Sequence, residues 1–182
     1  MIGIPIGLLY SNMGEWLIHK YVLHGLGRSK RSFWSFHWHE HHRAARKNGM
    51  HDEAYEKSLF GRGAGWNAQT KEALSIFIMG VAHAPLFPVA PFFTAAVWYS
   101  MVNYYRVHRR AHLDPVWAEA HLPWHVDHHL GANQDANWCV TRPWFDHLVG
   151  TRVPRERTAP TPVVPASYQP SYQPSYQTVG TT

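Results

Sequence analysis

The sequence predicts an all-α protein with integral-membrane helices and a polar, histidine-rich helical cap on the cytosolic side. Two observations predict this fold class. Residues 73–105 contain no Asp, Glu, Lys or Arg. Most histidines outside that stretch recur at spacings of three to five residues, close to the helical repeat. Basic residues on both sides of the apolar stretch indicate that its two ends lie at one membrane face, the cytoplasmic one.

The apolar stretch predicts a helical hairpin. One straight helix over residues 73–105 would be about 50 Å long, whereas the hydrocarbon core of a bilayer is about 30 Å thick. Pro85, Pro88 and Pro91 each lack the N–H that a helix interior needs. We therefore expect two membrane helices that turn near residues 84–91. The alternative is a buried helix pair in a soluble protein.

The rest of the chain divides into one domain and a tail. Residues 1–23 are apolar but are interrupted by Glu15, His19 and Lys20, which is typical of the end of a spanning helix and not of a signal peptide. Residues 1–158 are predicted to form a single membrane domain. Residues 159–182 consist largely of Pro, Ser, Thr, Tyr and Gln in short repeats, which predict a disordered tail.

Composition narrows the classes of function. The chain has 182 residues, a formal net charge of +5 and 15 histidines, more than its 12 Asp and Glu residues. Its basic residues lie in short clusters beside apolar segments and without a nucleic-acid-binding motif, so we expect no nucleic-acid partner. The single cysteine, Cys139, excludes a disulfide framework and a cysteine-rich zinc module. No motif for NAD or flavin is present.

Most of the histidines form four groups. A spacing of four, or of three and four, places imidazoles on one helix face. A spacing of five, as in the first group, requires a distorted turn. His51, His83 and His147 stand apart and are expected to be ordinary surface or core residues. The groups are His19 and His24; His37, His39, His41 and His42; His108 and His112; and His121, His125, His128 and His129.

The grouped histidines are too many for one metal ion. A tetrahedral zinc site takes four ligands, so the surplus predicts two ions held mainly by neutral imidazole nitrogens. Nitrogen ligands suit Fe, Zn, Cu or Ni, and the spacing leaves the metal open. Glu40 and Asp127 lie inside the groups and are candidates to accept the second N–H of an imidazole. Solvated surface charge is the alternative for both.

These groups resemble the histidine boxes of the fatty acid hydroxylase/sterol desaturase superfamily of integral-membrane, non-haem di-iron oxygenases. The final box, His125-Val-Asp-His128-His129, matches the family's His-x2-His-His pattern. The pairs 19/24 and 108/112 correspond to the first and third boxes. The segment 137–151 is similar to the family's closing Trp-Asp-x-x-Phe-Gly-Thr signature, and the runs 19–25 and 41–43 are similar to bacterial carotenoid hydroxylases.

The second box departs from the family pattern. Trp38 stands three residues before the His41-His42 pair, where the pattern has a histidine. Either His37 or His39 must supply that ligand, and His37 is favoured because it shares a helix face with His41. The metal ligands that the boxes imply are His19, His24, His37, His41, His42, His108, His112, His125, His128 and His129, with His39 and His121 as further candidates.

The resemblance implies an O2-dependent oxidoreductase of lipid biosynthesis. It implies two iron ions as cofactor, for which zinc could substitute in a structure, and no catalytic residue beyond the metal centre. Its partners would be a lipid substrate, the membrane and an electron donor similar to cytochrome b5 or ferredoxin. Hydroxylation of a lipid C–H bond is the expected reaction. The alternatives are a lipid desaturase of the same superfamily and a non-catalytic, histidine-rich membrane protein that binds or transports metal.

Overall fold

The computed structural model describes residues 1–60, 63 and 65–156. Every regular element in these ranges is helical, so the all-α prediction is confirmed for this part of the chain. The predicted tail, residues 159–182, lies outside the described residues. The elements are α1 (Gly3–Leu17), a first π segment (Ile18–Leu26), a second π segment (His37–His42), α2 (Arg43–Lys47), a 3-10 turn (Glu53–Glu56), α3 (Ala68–His83), a 3-10 turn (Ala84–Leu86), α4 (Pro91–Leu113), α5 (Pro115–His121), α6 (Pro123–Leu130) and α7 (Trp144–Val149).

The prediction of membrane-spanning helices is wrong. Among the described residues, no helix combines the length and the apolar character needed to cross a membrane. The apolar stretch does form a hairpin, but α3 has only 16 residues. The second helix, α4, has 23 residues, and its C-terminal half carries Arg106, Arg109 and Arg110. The integral-membrane location, with the site on the cytoplasmic face, is corrected by the same finding.

Helix α1 lies parallel to α4 and in close contact with it. A Cβ atom added at Gly7 would lie 2.8 Å from the Ala96 Cβ and 2.8 Å from the Phe93 carbonyl oxygen, and one added at Gly3 would lie 2.9 Å from the Phe93 nitrogen. Glycine at these positions therefore lets the two backbones approach. Because the contacts advance along both helices together, the C-terminal ends of α1 and α4 lie at the same end of the molecule.

Helix α3 packs antiparallel against α4. Near one end, Trp98 Nε1 donates a hydrogen bond of 3.0 Å to the Gly80 carbonyl. Near the other end, the side chains of Gln69 and Tyr105 are hydrogen-bonded at 2.8 Å. A capping box at Asn67 fixes the start of α3. The beginning of α3 therefore lies beside the C-terminal half of α4.

Short helices α5 and α6 fold back against the end of α4. Asp114 caps α5 by accepting from the Trp117 N–H at 3.0 Å, and proline occupies the first turn of both helices. The small side chains Ala111 and Ala118 are fully buried where the three helices meet. This packing brings the histidines of α6 against those of α4.

Candidate metal centre

The two π segments bring four histidines together. Backbone hydrogen bonds in a π-helix join residue i to i+5, so side chains five residues apart share a face. His19 and His24 have this spacing in the first π segment, and His37 and His42 have it in the second. Nε2 of His19 lies 2.9 Å from Nε2 of His37, and Nε2 of His24 lies 3.1 Å from Nε2 of His42. The distorted turn expected in the first group is thus a π-helix.

Helix α6 adds a fifth histidine to these four. Nε2 of His128 lies 3.1 Å from Nε2 of His42. All five rings are buried, and one nitrogen of each lies within 4.8 Å of the others. We call this set the five-histidine cluster; it consists of His19, His24, His37, His42 and His128.

A second set of buried histidines adjoins the first. His108 and His112 lie one turn apart on α4, and their ligand nitrogens lie within 4.8 Å of those of one histidine from the second π segment and one from α6. The ring centroids of His42 and His129 are 4.3 Å apart across the boundary between the two sets. We call the second set the four-histidine cluster; it consists of His41, His108, His112 and His129.

Each adjacent histidine pair is divided between the two clusters. His41 and His42 follow one another in the chain, yet they belong to different clusters, and the pair on α6 divides in the same way. Neighbouring residues on a helix point in directions about 100° apart, so one pair reaches both sites. Two short segments therefore hold the clusters side by side.

One loop orients the imidazoles of the five-histidine cluster. His19 Nδ1 donates to the Trp138 carbonyl at 2.6 Å, and His128 Nδ1 donates to the Ala136 carbonyl at 2.7 Å. His42 Nδ1 donates to Oε1 of Gln134 at 2.9 Å. Because these acceptors hold the proton on Nδ1, the Nε2 atom that faces the cluster has a free lone pair.

Carboxylates orient much of the four-histidine cluster. His41 Nδ1 donates to Oδ2 of Asp52 at 2.8 Å, and His108 Nδ1 donates to Oε1 of Glu72 at 2.9 Å. His112 Nδ1 donates to the Met50 carbonyl at 2.7 Å. Glu72 also accepts a hydrogen bond from the Tyr55 hydroxyl. These rings too present Nε2 to the inside of the cluster.

The donor sets fit metal ions. Where each Nδ1 holds a proton, the facing Nε2 atoms cannot hydrogen-bond to one another, and their lone pairs repel unless a cation lies between them. Nitrogens bound at about 2.1 Å to one ion lie roughly 3.0–3.4 Å apart, which matches the separation of 3.1 Å between His42 and His128. In the other cluster, Nε2 of His41, of His108 and of His129 is buried without a hydrogen-bond partner. The clusters can therefore hold metal, and imidazole nitrogens alone do not fix its identity.

Burial favours the neutral form of most of these buried imidazoles. An imidazolium there would lose its hydration, so burial lowers the pKa well below its ordinary value, and the neighbouring imidazoles lower it further. Neutral imidazole is the form that binds metal. The histidines with a lowered pKa are His19, His24, His37, His41, His42, His112, His125, His128 and His129.

The structure brings together all ten histidines predicted as ligands. Nine fall into the two clusters. The tenth, His125, lies at the edge of the four-histidine cluster, with its Nε2 3.1 Å from Nε2 of His112. Of the two residues considered for the second box, His37 lies in the five-histidine cluster, while His39 Nε2 donates to the Arg28 carbonyl. His121 donates to the Trp117 carbonyl on the surface and joins neither cluster.

The acidic residues singled out by the sequence do not orient an imidazole. Glu40 pairs with Lys71 at 2.7 Å, and Asp127 pairs with Arg152 at 2.7 Å. The carboxylates that do so are Asp52 and Glu72, and Asp135 lies 3.4 Å from His24 Nδ1; none of the three belongs to a histidine group. No spacing signal marks them, because each contact arises only in the folded chain; that of Glu72 with His108, for example, forms when α3 packs against α4.

The closing segment of the sequence holds the orienting loop in place. Both carboxylate oxygens of Asp146 accept backbone N–H groups, from Trp138 at 2.9 Å and from Cys139 at 2.8 Å. Thr151 Oγ1 donates to Asp146 at 2.7 Å and accepts from Trp16 Nε1 at 2.9 Å. This bonding fixes the Trp138 carbonyl that anchors His19.

Glu15 fastens the same loop to α1. Its carboxylate accepts from the backbone N–H groups of Val140 and Thr141 and from the Thr141 hydroxyl, at 3.0, 2.9 and 2.6 Å. Burial raises the pKa of Glu15 to about 7. The first helix and the orienting loop are thus joined next to the five-histidine cluster.

An apolar cavity of about 150 Å³ lies beside the five-histidine cluster. Its walls come from α1, α3 and α4 and include Ile76, Met79 and Val97. His19 and His37 line it as well, so the cavity reaches the cluster. An apolar molecule in this cavity would contact the histidines directly.

No protein-family model, no curated protein and no solved structure matches this chain.

Proposed function

We propose that the protein is an O2-dependent di-iron oxygenase, related to the fatty acid hydroxylase/sterol desaturase superfamily, that hydroxylates a C–H bond of an apolar, lipid-like substrate. One observation carries the proposal: two adjoining clusters of buried, neutral histidines lie beside an apolar cavity. Structural histidines in a protein interior are normally satisfied by hydrogen bonds on both nitrogens. Here His19, His41, His108 and His128 donate their Nδ1 protons outward and turn a bare Nε2 to the inside of the clusters, which supports a metal-binding role.

The five-histidine cluster would hold one iron ion, and the four-histidine cluster, with His125 at its edge, would hold the other. Two iron ions at these positions, with electrons from a separate donor protein, would supply the reduction of O2 and the oxidation of an unactivated C–H bond. Because the adjacent pairs 41/42 and 128/129 serve both clusters, the two ions would be neighbours. That arrangement supports a shared reaction over two independent sites.

The cavity walls would bind the substrate and exclude water. Apolar side chains such as Ile76 and Val97 contribute no competing hydrogen bonds, so an apolar chain replaces water there at a gain in free energy. Water that stays out cannot quench a reactive species. His19 and His37 line the inner end, so the C–H bond held next to them is the one that reacts.

The carboxylate of Glu72 would maintain the protonation state of the four-histidine cluster. It accepts from His108 Nδ1 and from the Tyr55 hydroxyl, and it also lines the cavity. The proton on Nδ1 leaves Nε2 of His108 free to bind metal. Glu72 therefore acts through His108 as a positioning residue.

Lipid mass spectrometry tests this function. We expect cells that produce the protein to contain a lipid that is heavier by one oxygen atom than its precursor, and growth under ¹⁸O2 to label that atom. His128→Ala should abolish the product, because it removes a ligand nitrogen that no neighbour replaces. His147→Ala is the matched control, since this exposed histidine lies outside both clusters and should leave the product unchanged.

Other outcomes would contradict hydroxylation. Loss of two hydrogen atoms without gain of oxygen would indicate a desaturase. Purified protein that binds iron reversibly but changes no lipid would indicate a metal-binding or transport protein. Full product formation by His128→Ala would refute the di-metal assignment.

A further inference from the structure

The cavity extends along the helix axes, away from the five-histidine cluster. Tyr10 on α1 and His83 at the end of α3 line it together with His19 and Glu72. From Tyr10 to His19 the backbone advances about 13 Å, and from Glu72 to His83 about 16 Å, at roughly 1.5 Å per residue. The cavity therefore joins the buried histidines to a second polar position more than a helix turn away.

Tyr10 and His83 form a hydrogen-bonded pair at this outer position. The Tyr10 hydroxyl and His83 Nε2 are 3.1 Å apart, and Tyr10 is 41% exposed. His83 Nδ1 donates to the Met79 carbonyl at 2.7 Å. In a neutral imidazole whose Nδ1 carries the proton, Nε2 is an acceptor. The Tyr10 hydroxyl therefore donates its proton to His83, and its oxygen retains lone pairs for another donor.

The serine hydroxyls and the Glu15 carboxylate of the cavity wall are already hydrogen-bonded within the protein. The hydroxyls of Ser11, Ser75 and Ser100 each donate to the carbonyl one helical turn earlier, at 2.8, 2.7 and 2.9 Å. Glu15 is bound to the orienting loop. The Tyr104 hydroxyl also faces the cavity, but it lies at the inner end, where the Tyr104 ring stacks on that of His108. At the outer end, the Tyr10 oxygen is therefore the polar atom of the described wall that remains open to a ligand.

We propose that the cavity selects an elongated apolar substrate that carries a hydroxyl group, and that the Tyr10 oxygen accepts a hydrogen bond from that hydroxyl at the end remote from the metal centre. The apolar body of the substrate would lie between Ile76 and Val97, with its far end beside His19. This inference rests on the proposed function and specifies its substrate class. Because the Tyr10 proton is held by His83, an alcohol is bound better than an ether or an ester of the same length.

Two isomeric probes test the selectivity. Octanol and heptyl methyl ether have the same atoms, but only octanol has an O–H group to donate. Their affinities for the full-length, metal-loaded chain, measured by calorimetry without reductant, give a ratio that does not depend on turnover. We expect Tyr10→Phe to lower the octanol-to-ether affinity ratio by roughly threefold to tenfold, the value of one hydrogen bond.

A second variant separates binding from a merely structural role. His83→Phe frees the Tyr10 proton, which can then be donated to the ether oxygen, so the affinity for the ether should rise while that for octanol changes little. If the pair served only to join α1 to α3, both affinities would fall together. Tyr99→Phe is the control, because this exposed tyrosine does not line the cavity, and its ratio should equal that of the wild type.

The outcomes distinguish this inference from the proposed function. An unchanged ratio in Tyr10→Phe, or no binding of either probe, overturns the selectivity for hydroxyl-bearing substrates even if a lipid is oxidised. A ratio that falls as expected supports it, even if no oxidation is found and the oxygenase proposal fails.

Discussion

The two histidine clusters lie side by side, yet they are oriented by different chemistry. In the five-histidine cluster, the Nδ1 protons go mainly to the carbonyls of Trp138 and Ala136 and to the amide of Gln134. In the four-histidine cluster, two of the acceptors are the buried carboxylates of Asp52 and Glu72. His24 Nδ1 also lies 3.4 Å from the carboxylate of Asp135, but that carboxylate is exposed and pairs with Arg28. One cluster is thus backed mainly by neutral dipoles, and the other mainly by buried carboxylates.

This difference predicts two unequal metal sites. A carboxylate that accepts the outer N–H makes an imidazole a stronger ligand and places negative charge close to the ion. The four-histidine cluster should therefore bind a divalent ion more tightly and stabilise a higher oxidation state than its neighbour. The five-histidine cluster compensates with an additional imidazole and adjoins the apolar cavity.

The largest expected effect is on the pH dependence of stability, and it arises from the buried imidazoles that both clusters contain. Burial lowers the folded-state pKa of eight of the cluster histidines, among them His19 and His112, while an unfolded histidine titrates near pH 6.5. Below that pH the unfolded chain binds more protons than the folded chain, so stability falls as the pH falls. Each imidazole contributes about 1.4 kcal/mol per pH unit. We expect the chelator-treated chain to unfold between about pH 6.5 and 5.

Urea unfolding at a series of pH values measures this effect. Stability above about pH 7.5 should be independent of pH as far as the histidines are concerned. A chelated chain whose unfolding free energy is the same at about pH 7.5 and 5.5 would show that the imidazoles are not kept neutral by burial.

Substitution of the groups that accept the histidine Nδ1 protons tests whether the two clusters differ in metal affinity as predicted. Glu72→Gln removes the negative charge behind His108 and should weaken metal binding at the four-histidine cluster by about 10-fold to 100-fold. Gln134→Glu is the converse change, since it places a carboxylate behind His42 and should strengthen binding at the five-histidine cluster. Competition with a chelator measures both affinities.

Glu40→Gln is the matched control for this exchange. The Glu40 carboxylate pairs with Lys71 and touches no cluster histidine, so its loss should leave both affinities unchanged. Equal weakening of both sites by Glu72→Gln would mean that the carboxylate does not act through His108 alone.

The smallest expected effect concerns the loop that orients only the five-histidine cluster. Thr151→Val keeps the shape of the side chain but removes the hydroxyl between Trp16 and Asp146, which should lower the free energy of unfolding by about 1–3 kcal/mol. Since Asp146 holds the Trp138 backbone, metal affinity should fall at the five-histidine cluster alone. Thr94→Val removes a buried hydroxyl that donates to the carbonyl of Ala90 at the start of α4, and it should affect stability without affecting either metal.

The sequence predicted much of the helical fold correctly, but it wrongly predicted that the helices span a membrane. The apolar stretch predicted a hairpin, and α3 and α4 form one. Its interpretation as membrane-spanning relied on local hydropathy alone. Local hydropathy does not show that α3 ends after 16 residues or that the C-terminal half of α4 contains arginine and histidine. Neither helix therefore has an apolar segment long enough to cross a membrane.

The sequence predicted which histidines form the candidate site, but not how they are divided between two clusters. The spacing identified the histidines that meet, but nothing in it separates His41 from His42 or shows that spacings of five are served by π segments. Which acceptor orients each ring depends on contacts between distant parts of the chain. The contact of Glu72 with His108 joins two helices and carries no local pattern.

The metal content of purified, iron-loaded protein shows directly whether the two histidine clusters bind one ion each. We predict two ions per chain for the wild type, and one ion per chain for each of His128→Ala and His112→Ala, because each substitution removes a ligand nitrogen from only one of the two clusters. The ion that remains should be in the four-histidine cluster in the first variant and in the five-histidine cluster in the second. A wild-type chain that retains no iron, or two variants that each retain both ions, would contradict the assignment of one metal site to each cluster.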